Sequence, residues 1–281
     1  MSLQSRAVTM TKQMIQIEST DPGTYENAMA DWITTQLAPY PNVRLSRQEV
    51  LPGRPNLIAE LTGDPSLPAL VMICHMDTVV VGDGWTLPPF DAIEKDGKIY
   101  GRGACDMKSG LACCLSAFQY AAETLQTSGK TPKQTLKLIC SMDEEDFMRG
   151  SEACIQAGWV TDHDWVIDAE PTNGQIQMAH KGRTWYEIDV QGHTAHASTP
   201  WKGADAIAAM AEIIREIRHA ILYAPVHPDM GSSTVTFGQI TGGYRPYVVP
   251  DHCKVWIDMR LVPPLNTEKT NAIVEAAIEH A

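Results

Sequence analysis

The chain has 281 residues, 44% apolar and 20% charged, enough to bury one large core or two ordinary ones, which excludes a disordered or fibrous polypeptide. Its 34 acidic and 22 basic side chains leave a net charge of -12, a field that repels phosphate backbones and anionic headgroups, so neither nucleic acid nor a membrane is an expected partner. The seven cysteines (Cys74, Cys105, Cys113, Cys114, Cys140, Cys154 and Cys253) form no Cys-x-x-Cys pair and lie mostly in apolar runs, which reads as free thiols in a reducing cytoplasm.

The N-terminus lacks the apolar core of a signal peptide, and no stretch reaches membrane-spanning length. Val8, Met14, Ile15 and Ile17, then Met29, Trp32, Ile33 and Leu37, recur at helical spacing around an Asp21-Pro22-Gly23 break, and Pro39 and Pro41 close the second helix. Runs 56–61, 69–75, 135–141 and 165–168 are β-rich and continuously apolar, which predicts strands buried between helices. One long helix over 107–127 and a shorter one over 151–157 alternate with them, the layered α/β pattern. Past Gly182 the texture changes. Alternating strands over 184–190, 233–240 and 252–260 and helices over 204–222 and 267–281 give the β-α-β-β-α order of a ferredoxin-like unit without its last strand. The expected domains are 1–181 and 182–281.

Four polar clusters sit near predicted strand ends. His75 and Asp77 fall on the same side of an extended chain at the carboxyl end of a strand, the edge where open α/β sheets bind ligands. Asp106 follows a glycine-rich turn whose order does not fit a phosphate loop; at a helix entrance it is either a cap or a ligand. Asp143, Glu144, Glu145 and Asp146 crowd four carboxylates together, which calls for a cation or a solvated loop. Asp168 and Glu170 close another run. Taken jointly, these residues place hard and borderline metal ligands on one rim.

His75-Met76-Asp77, Gly101-Arg102-Gly103-Ala104-Cys105-Asp106-Met107-Lys108, Asp143-Glu144-Glu145 and Ala169-Glu170-Pro171-Thr172 resemble, in order and spacing, the motifs of the co-catalytic zinc exopeptidase and deacylase family. That family includes carboxypeptidase G, aminoacylase, acetylornithine deacetylase and succinyl-diaminopimelate desuccinylase, and the wording around Asp106 is nearest the last two. The resemblance, from about Ile15 to the last residue, implies a mixed sheet with helices on both faces and a smaller ferredoxin-like α+β lid and dimerisation domain. It implies two Zn2+ ions, with cobalt or manganese as alternatives. His75 and Glu170 would ligate one and Glu145 the other, with Asp106 bridging, Glu144 as general base, Asp77 as the partner of His75, and a cis peptide after Asp106.

In the second domain, Gly192-His193-Thr194-Ala195-His196-Ala197-Ser198 resembles the lid motif whose second histidine polarises the scissile carbonyl in the partner subunit. The resemblance therefore implies that role for His196, a surface position for His193, a hinge at His180-Lys181-Gly182, and a grip on a substrate carboxylate by Arg260. The implied activity is hydrolysis of the amide of an N-acyl amino acid or short peptide with a free carboxylate, in a homodimer joined through the lid strand 184–190 and helix 204–222. Two departures imply an altered pocket: Tyr247 stands where the family places Asn, and Asp146-Phe147 replaces the usual glycine after the two glutamates. The family's chain continues past the lid to a last zinc histidine. Here the sequence stops at Ala281, and His280 belongs to the lid helix, so the alternative expectation is a truncated, non-catalytic metal-binding or dimerisation fragment.

Overall fold

A computed structural model describes residues 2–281, which divide into two compact units, the first ending at Gln175 and the second running from Ile176 to Ala281. The sequence texture placed that border at 181. The first unit contains α1 (Leu3–Ile15), β1 (Thr20–Asp21), α2 (Asn27–Leu37), β2 (Arg44–Leu51), β3 (Arg54–Leu61), β4 (Leu70–His75), β5 (Thr78–Val79), β6 (Ile93–Lys95), β7 (Lys98–Tyr100), α3 (Ser109–Ser128), β8 (Leu136–Ser141), α4 (Arg149–Gln156) and β9 (Trp165–Asp168). Its main sheet has the order β2-β3-β8-β4-β9. The β2–β3 and β3–β8 pairs are antiparallel, whereas β8, β4 and β9 run parallel.

Central strands are apolar on both faces because helices cover both. On one side Leu57, Leu138, Met14 and Ile33 pack with Leu111, Leu115 and Phe118 of α3, whose buried positions recur every three to four residues. On the other, Ile58, Val71 and Ile139 pack with Cys154 of α4. Leu115 is fully buried in the larger cluster. Leu115→Ala is therefore expected to cost about 2–5 kcal/mol, read as a lowered denaturation midpoint; a change within a few tenths would mean that the cavity collapses or that this core is loosely packed.

One expectation is corrected. The run 165–168 is not a buried strand: β9 lies at the sheet edge, and Trp165, Val166 and Ile167 are all exposed. An apolar run looks the same in sequence whether its outer side is covered or open. Strand β2 was not read at all, because Arg44, Arg47, Gln48 and Glu49 give an edge strand the composition of a loop.

Gly110, in the first turn of α3, has a packing reason. A Cβ there would stand 2.2 Å from the carbonyl oxygen of Ala169, so its absence lets the segment after β9 lie against the helix.

The second unit contains β10 (Gly182–Gln191), α5 (Ala206–Leu222), β11 (Thr234–Gly242), β12 (His252–Leu261) and α6 (Thr267–His280). The antiparallel order is β10-β12-β11, with a bulge between Phe237 and Gln239. Ile188, Val255, Ile257 and Met259 line one face of the sheet and pack with Met210, Ile213, Ile217 and Ile221 of α5 and Val274 and Ala277 of α6. Asp205 caps α5 by accepting from Ala208 N, and Asn266 caps α6 by accepting from Lys269 N. The β-α-β-β-α order is the one expected. Among the described residues, all seven cysteines are free and no helix is long and apolar enough to cross a membrane.

Candidate metal centre

Because β4, β8 and β9 are parallel, their carboxyl ends emerge on one edge. His75 ends β4, Glu144 and Glu145 follow β8, and Glu170 follows β9. Asp106 arrives from the turn 104–108, entered through Gly103 at φ 77° and leading into α3; the Asp106–Met107 peptide is cis, as the resemblance implied. The turn ends on Lys108, fully buried, whose Nζ donates to the carbonyls of Met14 (3.0 Å) in α1 and Ile17 (2.7 Å) just beyond it. Burial pulls its pKa down to about 7, against the attraction of Glu18.

The His75 ring is almost completely buried. Its Nδ1 lies 2.9 Å from the backbone carbonyl of Asp77, and since a carbonyl only accepts, Nδ1 donates and Nε2 is the nitrogen that faces the cluster. From Nε2 it is 3.2 Å to Asp106 Oδ1, 3.5 Å to Glu170 Oε1 and 3.9 Å to Glu144 Oε2. Ligand atoms of His75, Asp106 and Glu145 lie within 4.8 Å of one another, as do those of His75, Glu144 and Glu170.

Asp77 meets His75 through its backbone carbonyl and, at longer range, through its carboxylate. Its carboxylate Oδ1 is 3.7 Å from His75 Nδ1, while its two oxygens accept the backbone N–H groups of Glu144 (3.2 Å) and Glu145 (3.0 Å). The side chain thus aligns the double-glutamate turn, and the backbone carbonyl orients the imidazole.

Electrostatically the cluster is short of positive charge. Burial pushes Glu145 up to about 7 and Glu170 up to about 8, with His75 opposing and Asp106 reinforcing both shifts. Burial also pushes Asp77 up to about 6, with His75 opposing. Burial draws His75 down, but its hydrogen bond with Asp106 and the charges of Asp77, Glu170 and Glu144 outweigh it and carry the ring up to about 10. A proton on Nε2 relieves the crowding of carboxylates, and a divalent cation would do so more fully. One imidazole nitrogen among carboxylate oxygens is a donor set that suits zinc, cobalt or manganese.

The remaining two site residues belong to the second unit. His196 is exposed, and its Nδ1 accepts from Ser198 N at 3.2 Å with Ser198 Oγ at 2.8 Å, so the neutral ring carries its proton on Nε2. Arg260 stands exposed on β12, its Nε donating to Asp258 Oδ1 at 2.8 Å. An open cavity of about 560 Å³ in this unit is lined by residues including Ala197, Pro200, Tyr244, Arg245 and Val248. Tyr247 and Phe147 are both exposed, Phe147 stacking under Arg149 at 4.8 Å.

Sequence reasoning missed three buried polar residues that hold this region together: Glu26, Arg54 and Asn56. The available signal was Arg54-Pro55-Asn56 leading into an apolar strand, where a charge and an amide need partners.

Residues 178–281 match the family described as peptidase dimerisation domain (M20), and residues 56–221 match peptidase family M28. A probable succinyl-diaminopimelate desuccinylase of Staphylococcus aureus is 31% identical over 242 residues, covering 76% of this chain and 59% of the relative. An acetylornithine deacetylase of Photorhabdus laumondii is 32% identical over 233 residues, covering 81% and 58%. The chain thus spans about three fifths of the length of these curated relatives. Among solved structures, an M20 family metallo-carboxypeptidase of Sulfolobus solfataricus superposes with TM-score 0.75 at 17% identity, covering 98% of this chain and 75% of the other. A Staphylococcus aureus tripeptidase does so with TM-score 0.68 at 20% identity, covering 98% and 72%. At those identities the structural likeness speaks for the fold.

Proposed function

The chain belongs to the metallopeptidase and deacylase family that the M28 and M20 matches mark, and from that premise we propose that it is a metal-dependent amidohydrolase acting on N-acyl amino acids or short peptides with a free carboxylate. The observation that carries this reading is the convergence of His75, Asp106, Glu144, Glu145 and Glu170 around one imidazole nitrogen. The names of the deacylase relatives support the acyl-amino-acid side of it. His75 and Glu170 would hold one zinc ion, Glu145 the other, and Asp106 both, with cobalt or manganese as substitutes. When bound, the ions supply Lewis-acid polarisation of the amide carbonyl and lower the pKa of water.

The protein's own groups carry the rest. Glu144 takes a proton from the attacking water and passes it to the departing amine nitrogen as the C–N bond breaks, yielding a carboxylate and an amine. Asp77 keeps Glu144 and Glu145 aligned through their backbone N–H groups. His196, protonated on Nε2, would donate to the developing oxyanion from a partner subunit across a lid-mediated homodimer. Arg260 would offer its guanidinium to the substrate carboxylate, for which Asp258 serves as a placeholder. Seven free cysteines fit a cytoplasmic enzyme.

The test is metal analysis of the 281-residue chain paired with a hydrolysis screen over succinyl, acetyl and aminoacyl amides. Two ions and turnover are expected. One tightly held ion without turnover would favour a non-catalytic metal-binding and dimerisation role. If the chain turns over, mixing inactive Glu144→Ala with inactive His196→Ala is expected to restore part of the activity, because a mixed dimer has one site with both residues intact. No recovery despite free subunit exchange would place His196 in its own subunit's site or outside catalysis.

A further inference from the structure

We propose that Arg54 is a positioning residue for the turn carrying Glu144 and Glu145, acting through the buried carboxylates of Glu26 and Asp143. The proposal rests on the reading of Glu145 as a metal ligand. The turn 143–148 must present two adjacent glutamates to one cluster, and its backbone does not settle there on its own. Asp143 and Met148 both have positive φ, 62° and 58°, a region that side-chain-bearing residues avoid. Such a conformation persists only where the surroundings over-determine it.

Those surroundings are specific. Asn56, fully buried on β3, closes the base of the loop: its Oδ1 accepts from Met142 N at 3.0 Å and its Nδ2 donates to the Gly150 carbonyl at 2.8 Å. A Cβ at Gly150 would stand 2.3 Å from the Met142 carbonyl oxygen, so the two ends of the loop meet only over a glycine. Glu26 Oε1 accepts the N–H of Asp143 at 3.1 Å. Arg149 clasps the Asp143 carboxylate from outside at 2.6 and 2.7 Å.

This arrangement places three buried carboxylates, Asp21, Glu26 and Asp143, beside one another, and alone they would repel. Arg149 reaches Asp143, and Arg54 is the cation that reaches all three. Its Nη2 lies 2.5 Å from both Asp21 Oδ2 and Glu26 Oε1 and 3.3 Å from Asp143 Oδ1, and its Nε donates to Glu26 Oε2 at 2.9 Å. Its guanidinium also stacks on Tyr25 at 4.2 Å. Only a planar fork of donors reaches all of these at once. Without it, the Glu26 carboxylate loses the donors that hold it aimed at Asp143 N, and the left-handed start of the turn loses its acceptor. Glu145, two residues on, would then shift relative to His75 and Asp106.

The experiment is a cobalt(II) titration of the full chain, followed by visible absorption, for the native protein and for Arg54→Met, Glu26→Gln, Glu145→Gln and Leu115→Ala. Arg54→Met and Glu26→Gln are expected to weaken cobalt binding about 10- to 100-fold and to change the ligand-field bands, as losing an outer-shell partner does. Leu115→Ala, which loosens the core away from the turn, is expected to leave the bands and affinity as in the native chain. Native-like binding in a folded Arg54→Met or Glu26→Gln protein overturns the proposal, and so does an equal loss in Leu115→Ala. If Arg54→Met does not fold, the near-isosteric Glu26→Gln decides. Glu145→Gln separates the two layers: if it too binds cobalt as the native chain does, the ligand reading fails and the positioning role fails with it.

Discussion

Glu144→Gln is expected to lower turnover by about 100- to 10,000-fold while leaving metal content nearly unchanged, the loss typical of a missing general base. The amide keeps the size and the backbone N–H that Asp77 accepts, so the turn stays in place and only the proton acceptor is removed. The geometry makes this a sharp test, because Glu144 Oε2, at 3.9 Å from His75 Nε2, is also near enough to ligate. Elemental analysis beside the rate measurement distinguishes the roles: a fall in both metal and rate would make Glu144 a ligand. Retained turnover would remove it from the chemistry altogether.

The second large effect concerns His75. It supplies the nitrogen common to both candidate ligand groups, and the Asp77 carbonyl fixes which nitrogen faces the carboxylates. His75→Ala is therefore expected to abolish tight metal binding, which thermal unfolding at graded zinc concentrations would show. A cation that binds only the folded chain stabilises it by about 2.7 kcal/mol at one hundred times its dissociation constant. The native unfolding temperature should thus climb with zinc, whereas that of the variant should stay flat. An equal climb in the variant would mean that the carboxylates alone hold the ion, or that zinc binds elsewhere.

The strand ends were legible because buried parallel strands have a simple signature, and polar residues just beyond β4 and β8 stand out against it. The acidic rim could be read as a metal site because four polar clusters coincided along the sequence, and the resemblance to a known family then assigned a role to each residue. What stayed hidden depends on partners distant in sequence. Glu26 and Asp143 are 117 positions apart, and nothing near either one announces that a backbone N–H will meet a carboxylate. The same holds for Asp77, where spacing put it beside His75 but could not tell its carbonyl from its carboxylate. Edge position was equally unreadable, since β9 and β8 are both short apolar runs and only pairing shows that one is open to solvent.

Lys108 has a consequence for anyone trimming this protein. Its ammonium donates its hydrogen bonds to carbonyls at and just beyond the end of α1, so the first helix and its exit supply acceptors to the turn that carries Asp106. A shortened version starting at Ser19 would remove both carbonyls and leave a polar head in an apolar hole directly under that turn. Protein-engineering work that treats the N-terminal helix as a disposable leader, or a protease that clips behind it, would therefore disarm a site formed a hundred residues further along the chain.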